Sequence, residues 1–427
     1  MTTSDCPSLE RHFRGHKDSV TALAFNPAQQ QLASCSLDNS LMLWNFHKTV
    51  RAFRFLGHTD GVLDLTFSPS GHLVASASRD RSVRLWVPSA VRGTSGEFRA
   101  HTGSVRSVHF SPDGHQLVTS SDDKSIKLWS VAKRRFVLTL HGHSNWVRCA
   151  RFSPDGSQVA SCADDKSIKL FDPRTGKCTH TFQESKGHAV NVEWHPSGTC
   201  FGAGLSNNVA RIYDVRALRV VQHYCSHEGA VNRVAFHPSG NYMLTASQDA
   251  TMKVLDLLEG RPIFTLQGHE GAITAVAFSP SGEYFASSGI DNQVFVWKTN
   301  FDIEDWQSAL GEEASSLNET VAELNSPVKC KVDARSALKE LQQPNVQVTT
   351  VNQPLDKSNS DSENDNVIQY TDRSQTTKKD QVCDCHNKHS AEQNLQAKTI
   401  NLLKGTVELL EQRMSLLEEK LANLTTK

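Results

Sequence analysis

One phrase recurs along this chain at a nearly constant interval, and that recurrence limits the possible folds more than any other feature. It reads GHKDSVTALAFNP, GHTDGVLDLTFSPSG, AHTGSVRSVHFSPDG, GHSNWVRCARFSPDG, SHEGAVNRVAFHPSG and GHEGAITAVAFSPSG. With a weaker seventh copy, the closing aromatics are Phe25, Phe67, Phe110, Phe152, Trp194, Phe236 and Phe278, each 42 or 43 residues from the last. Thirteen residues on lies a second column: Asp38, Asp80, Asp123, Asp165, Asn207, Asp249 and Asp291. Six further on lies a third: Trp44, Trp86, Trp129, Phe171, Tyr213, Leu255 and Trp297. Each copy holds short runs such as Val105 to Phe110, Gln116 to Ser120 and Ser125 to Trp129, broken by SPDG- and DDK-type turns. The third run alternates, with Ile126 and Leu128 on one side and Lys127 and Trp129 on the other. Four such strands form a small sheet that leaves both faces bare. Stacking the sheets in a ring covers the faces and protects the edges.

The GH mark, the closing Trp and the period together resemble the WD40 family over roughly residues 8–299. The resemblance implies an all-β, seven-bladed propeller. The last copy ends after its third strand at Trp297, so Leu9–Phe13, ahead of the first GH, is expected to supply the missing outer strand. The predicted organisation is a propeller over residues 1–299, a polar and mostly disordered linker over 300–396, and an α-helical coiled coil over 397–427.

His16, His58, His101, His143, His227 and His269 form one column, and Ser34, Ser76, Thr119, Ser161, Thr245 and Ser287 another, four residues before the acidic column. His, Ser or Thr and Asp in one unit suggest a hydrolase triad, but an enzyme needs one site and this set recurs in nearly every copy. Together with Asp38, Asp80, Asp123, Asp165, Asp249 and Asp291, they are expected to form hydrogen-bond networks that fix the turns. The resemblance to WD40 blades implies the same. The fifth copy departs, with Ser185, Ala203 and Asn207 in these columns and His188 in a shifted KGH, which predicts the least rigid blade.

The chain of 427 residues has 45 Lys plus Arg against 46 Asp plus Glu, so no bulk charge draws it to nucleic acid or a membrane. Its ten cysteines show no paired framework, which suits a reducing compartment. Neither a signal-peptide core nor a run of about 20 apolar residues is visible. With no Gly-rich phosphate loop, nucleophile elbow or unique acid–base pair, the expectation is no catalysis and no cofactor. Cys383, Cys385, His386 and His389 cluster, yet one residue between the cysteines is too few for a usual zinc pair, and no metal site is expected. Ser358, Ser360 and Ser362 each precede an acid by three residues, which reads either as acidophilic kinase sites or as plain solvated linker.

In the tail, Ile400, Leu403, Val407, Leu410, Met414, Leu417, Leu421 and Leu424 alternate spacings of three and four. This a/d seam is narrow for a helix docked on its own propeller, and predicts a parallel homodimeric coiled coil, with Arg413 facing Glu418 of the partner helix. The partner surface is expected at the propeller end that carries the loops after each GH and the turns after each second strand. There the second to fourth copies place Arg81, Arg106, Asp122, Lys124, Trp146, Arg148 and Lys166, with Asp164 beside them, a set suited to an acidic protein surface.

SLERHF before the first GH, HPSGNYMLTAS with VLDLLEGR in the sixth copy, VWKTNFD closing the seventh, and the propeller–linker–coiled-coil layout are similar to the centriolar "proteome of centriole" WD40 family. That resemblance implies a scaffold of centrioles, basal bodies and spindle poles. Such a scaffold supports centriole assembly, stability and duplication and cilium formation, with centriolar wall proteins and microtubules or tubulin as partners. A second reading stays open. Phe171-Asp172-Pro173-Arg174 and Tyr213-Asp214-Val215-Arg216 resemble the boxes by which propellers serve as substrate receptors of cullin-type ubiquitin ligases.

Overall fold

The computed structural model describes residues 6–28, 31–46, 52–88 and 96–300, and the backbone of 330–333 and 348–352. Among them are seven antiparallel sheets, each read from an inner to an outer strand. The third blade shows the plan: Val105–Phe110, Gln116–Ser121, Ile126–Ser130 and Arg135–Leu140 pair in sequence order. The first strand of every sheet packs beside the first strands of its two neighbours, and Val20–Phe25 beside Ile273–Phe278 completes the circle.

The seventh blade is assembled from both halves of the chain. Ile273–Phe278, Tyr284–Gly289 and Gln293–Lys298 come from the last repeat, and Ser8–Arg14 adds the outer strand, with Ser8 opposite Lys298 and Arg14 opposite Gln293. Phe13 of that strand is buried and stacks on Trp44 of the first blade, so the seam is closed by side chains as well as by the ladder.

The apolar core lies between blades rather than within them. Val118, Ile126 and Leu128 of the third blade pack with Val147, Phe152 and Phe171 of the fourth, while Trp129 turns the other way to meet Ala75, Val83 and Leu85 of the second. Strand alternation produces this division, because successive side chains point to opposite faces.

Two further strands extend blades outward. Val348–Asn352 lies parallel to Ala52–Leu56, the outer strand of the first blade, and Cys330–Asp333 lies parallel to Arg261–Gln267, the outer strand of the sixth. The coiled-coil seam from Ile400 to Leu424, the serines at 358, 360 and 362, and the cluster at Cys383, Cys385, His386 and His389 lie outside the described residues.

Candidate protein-binding site

The six repeated polar sets are internal ties. In the second blade the Trp86 indole donates to Ser76 Oγ at 2.9 Å, Ser76 Oγ lies 2.7 Å from His58 Nε2, and His58 Nδ1 lies 2.7 Å from Asp80. With a neutral imidazole the order is Trp to Ser, Ser to His Nε2, and His Nδ1–H to the carboxylate. Asp80 in turn accepts the Thr59 amide and the Ser82 amide and hydroxyl, so it fixes the GH loop and the turn after the second strand together. The same chain runs through His16, His101 and His269, and without the indole through His143 and His227. Burial opposes ionisation of Asp38, Asp80, Asp123 and Asp249, but the bonds from His and from Ser or Thr outweigh it and hold these carboxyls well below the usual range. Each set is sealed inside its blade, with the His ring buried, so none presents a nucleophile to solvent.

The fifth blade replaces this set. Glu184, buried, accepts a hydrogen bond from the Tyr213 hydroxyl and pairs with Arg211, while Asn207 Oδ1 is buried without a partner among the described residues. Burial, with Glu184 beside it, pushes the Tyr213 phenol above its ordinary range. The shifted His188 does not take the vacant column; its Nε2 lies 3.5 Å from Asp164 of the preceding blade.

The inner strands carry a second regular feature that repeats in all seven blades. The register slips after the first residue of each, as between Val105 and Ser107 and between Val147 and Cys149. A bulge re-aims the extra side chain, and here it turns Thr21, Leu63, Arg106, Arg148, Val190, Asn232 and Thr274 toward the channel mouth. The mouth is a cavity of about 520 Å³. Arg106 and Arg148 therefore belong to strands, not to the loop after the GH where the sequence reading put them. The reason is that the strand begins at the preceding valine in both blades.

The ring of bulge residues is chemically divided. Thr21 donates to Val62 O, Asn232 to Ile273 O and Thr274 to Val20 O, each tying its blade to the next. In blades three and four the bulge residue is instead an arginine bonded to its own blade: Arg106 to Asp122 at 2.7 and 3.0 Å, Arg148 to Asp164 at 2.6 and 2.7 Å. Hydrogen bonding to Asp164 raises the Arg148 pKa further. Trp146, 45% exposed, stands between them, with both guanidinium carbons 5.9 Å from its ring centroid. The result is a rigid aromatic anchor flanked by two bidentate ion pairs that hold the arginines in fixed poses.

Arg81, Lys124 and Lys166 occupy the turn after the second strand with φ of 71°, 69° and 63°, and all three are exposed. Asn39, Asn208 and Asn292 hold the same turn position in other blades, as expected where an L-residue must enter the left-handed region. Asp122 and Asp164 neutralise the two arginines, and exposed Arg79 joins Arg81 in the second blade's turn.

A separate charged cluster crosses the channel. Asp64 of the second blade, 1% exposed, accepts Arg151 of the fourth at 3.3 Å, Arg233 of the sixth at 3.1 Å and the Val108 amide of the third at 3.2 Å. Arg151, 3% exposed, also donates to Val108 O and lies 3.5 Å from Glu193 of the fifth. The sequence reading did not single out these residues. At the other end of the propeller, Asp172 and Asp214 of the two receptor-like boxes cap their own turns, accepting the amides of Arg174 and Arg216.

Comparison with known proteins agrees with this geometry. The chain is 59% identical over 49 residues to a protein named POC1 centriolar protein homolog A of Xenopus tropicalis. It is 57% identical over 49 residues to POC1 centriolar protein homolog B of Danio rerio, and 45% identical over 49 residues to POC1 centriolar protein homolog of Drosophila melanogaster. Each match covers 12% of this chain and 11%, 10% and 12% of those relatives respectively, so about a tenth of their length is matched. The family model for the WD domain, G-beta repeat, matches residues 7–45, 49–87, 93–130, 134–172, 218–256 and 260–298, passing over the fifth copy whose polar set is replaced. These matches take in more than half of the chain, which therefore belongs to the WD40 repeat family.

Proposed function

We propose that this protein is a non-catalytic scaffold of centrioles and basal bodies that binds neighbouring wall proteins through the Trp146 end of its propeller. In this reading it supports centriole assembly, stability and duplication and cilium formation. It sits against microtubules or tubulin, and a homodimeric coiled coil over 397–427 brings two propellers together. The observation that carries the binding role is Trp146, an exposed indole held between two arginines that are themselves locked by Asp122 and Asp164. Exposed Trp and Arg at a preorganised position are typical interface anchors. The centriolar setting rests on the names of the relatives. Avidity supports the dimer, since two linked propellers on a repeating lattice gain about 10²–10⁴ in apparent affinity when both can engage.

The test is a tagged full-length chain carrying Trp146→Ala with Arg106→Ala and Arg148→Ala, followed in dividing, ciliated cells. Loss of the centriolar and basal-body signal with an unchanged melting profile is expected. A normal signal from the folded triple variant would overturn the assignment of this surface.

A further inference from the structure

The two added strands lie at chosen places. Outer strands are sheet edges with unpaired backbone groups, and an uncovered edge invites pairing with another chain. In the described structure the edges of the sixth and first blades carry a fifth strand, and these are the two neighbours of the seventh, the blade that closes the ring. The register avoids the one residue that could not donate. Cys330 pairs opposite Phe264 and Asp333 opposite Gln267, so the added strand starts two residues past Pro262. On the first blade the pairing is continuous, from Val348 opposite Ala52 to Asn352 opposite Leu56.

Both additions are parallel, so both segments run in the direction of the outer strands they cover. The 14 residues between them reach about 46 Å at ~3.3 Å per residue. A single covalent stretch therefore holds the blades on either side of the closing one.

We propose that Cys330–Asp333 and Val348–Asn352 form an intramolecular strap that masks the outer edges of the sixth and first blades and clamps the ring across its closing blade. The strap lies within the stretch after the repeats that by composition needs no structure of its own, and blades supply its hydrogen-bond partners. It keeps these two edges from pairing with other copies. The outer strands of the third and fifth blades, with exposed Phe136, Val137, Val220 and Val221, carry no such strand among the described residues.

Hydrogen exchange on the full-length protein tests this. Two adjacent prolines, Thr349→Pro with Thr350→Pro, must remove one donor facing the blade, because successive amides point to opposite sides. Lys331→Pro with Val332→Pro does the same at the other edge. Expected is at least tenfold faster exchange of the outward amides of Ala52–Leu56 in the first variant and of Arg261–Gln267 in the second, with Val105–Phe110 unchanged in both. Equal exchange in variants and wild type would overturn the strap. Protection that rises with protein concentration would overturn the intramolecular assignment, because the strands would then come from a second copy.

Discussion

Replacing Asp64 by alanine removes the acceptor on which blades two, three, four and six converge. Arg151 would keep Val108 O and a 3.5 Å contact to Glu193, and Arg233 would lose the Asp64 carboxylate. Arg151 is 3% exposed, so water cannot readily replace the lost carboxylate. Removing one member of such a pair costs about 3–5 kcal/mol, because it leaves a buried charge uncompensated. At about 2.1 cal/mol/K per residue, a propeller of about 290 residues unfolds with an entropy near 0.6 kcal/mol/K, so the loss lowers the melting temperature by roughly 5–8 °C. Thermal unfolding of the wild type, Asp64→Ala, Arg151→Met and the double variant Asp64→Leu with Arg151→Met separates the contributions. The double variant removes both members of the buried pair and leaves only the half-buried Arg233 without its carboxylate, so its loss should fall well short of the sum of the single losses. If Asp64→Ala melts within about 1 °C of the wild type, the clamp is solvated and the reasoning from burial fails.

Deleting residues 1–14 exposes the Gln293–Lys298 edge and removes Phe13 from the seam, so the protein should aggregate or melt much earlier; an unchanged melt would show that the ring closes without that strand. Burial, with Arg14 beside it, holds His12 down to about 4. Its neutral form is therefore favoured in the fold, and its contribution is complete above about pH 6.5 and lost as pH falls toward 4. His101 and His143, lowered mainly by burial, act in the same direction. Melting temperature should decline on acidification below about 6.5, and less steeply in His12→Phe, which keeps a ring against Phe295; identical slopes would exclude His12.

The ring was legible because its determinants sit at fixed spacing. The columns ending at Trp44, Trp86, Trp129 and Trp297 name the strands and turns before any coordinate is known. Trp146, Arg106 and Arg148 were legible as a group because they fall in equivalent places of adjacent or single copies, although the bulge that lifts both arginines into the mouth leaves no mark in composition. Glu184 was hidden for the opposite reason. It stands one residue before the column it replaces, so column reasoning registered a loss at Ser185, Ala203 and Asn207 and missed the substitute. The Asp64 cluster was hidden too, since Asp64 and Arg233 stand three residues before their closing aromatics whereas Arg151 and Glu193 stand one before. Only the ring brings them together.

The outer strand of the seventh blade also sets a timetable. Ser8–Arg14 leaves the ribosome ahead of the repeats, yet its partner Gln293–Lys298 is made nearly 290 residues later. At about 5–20 residues per second, the strand waits roughly 15–60 seconds before the ladder can form. Six blades can stack in order as they emerge, but the circle stays open until translation has passed Lys298. Until then the nascent protein is a crescent with one apolar flank at each end, and that interval is when a chaperone or a neighbouring polysome copy would meet it.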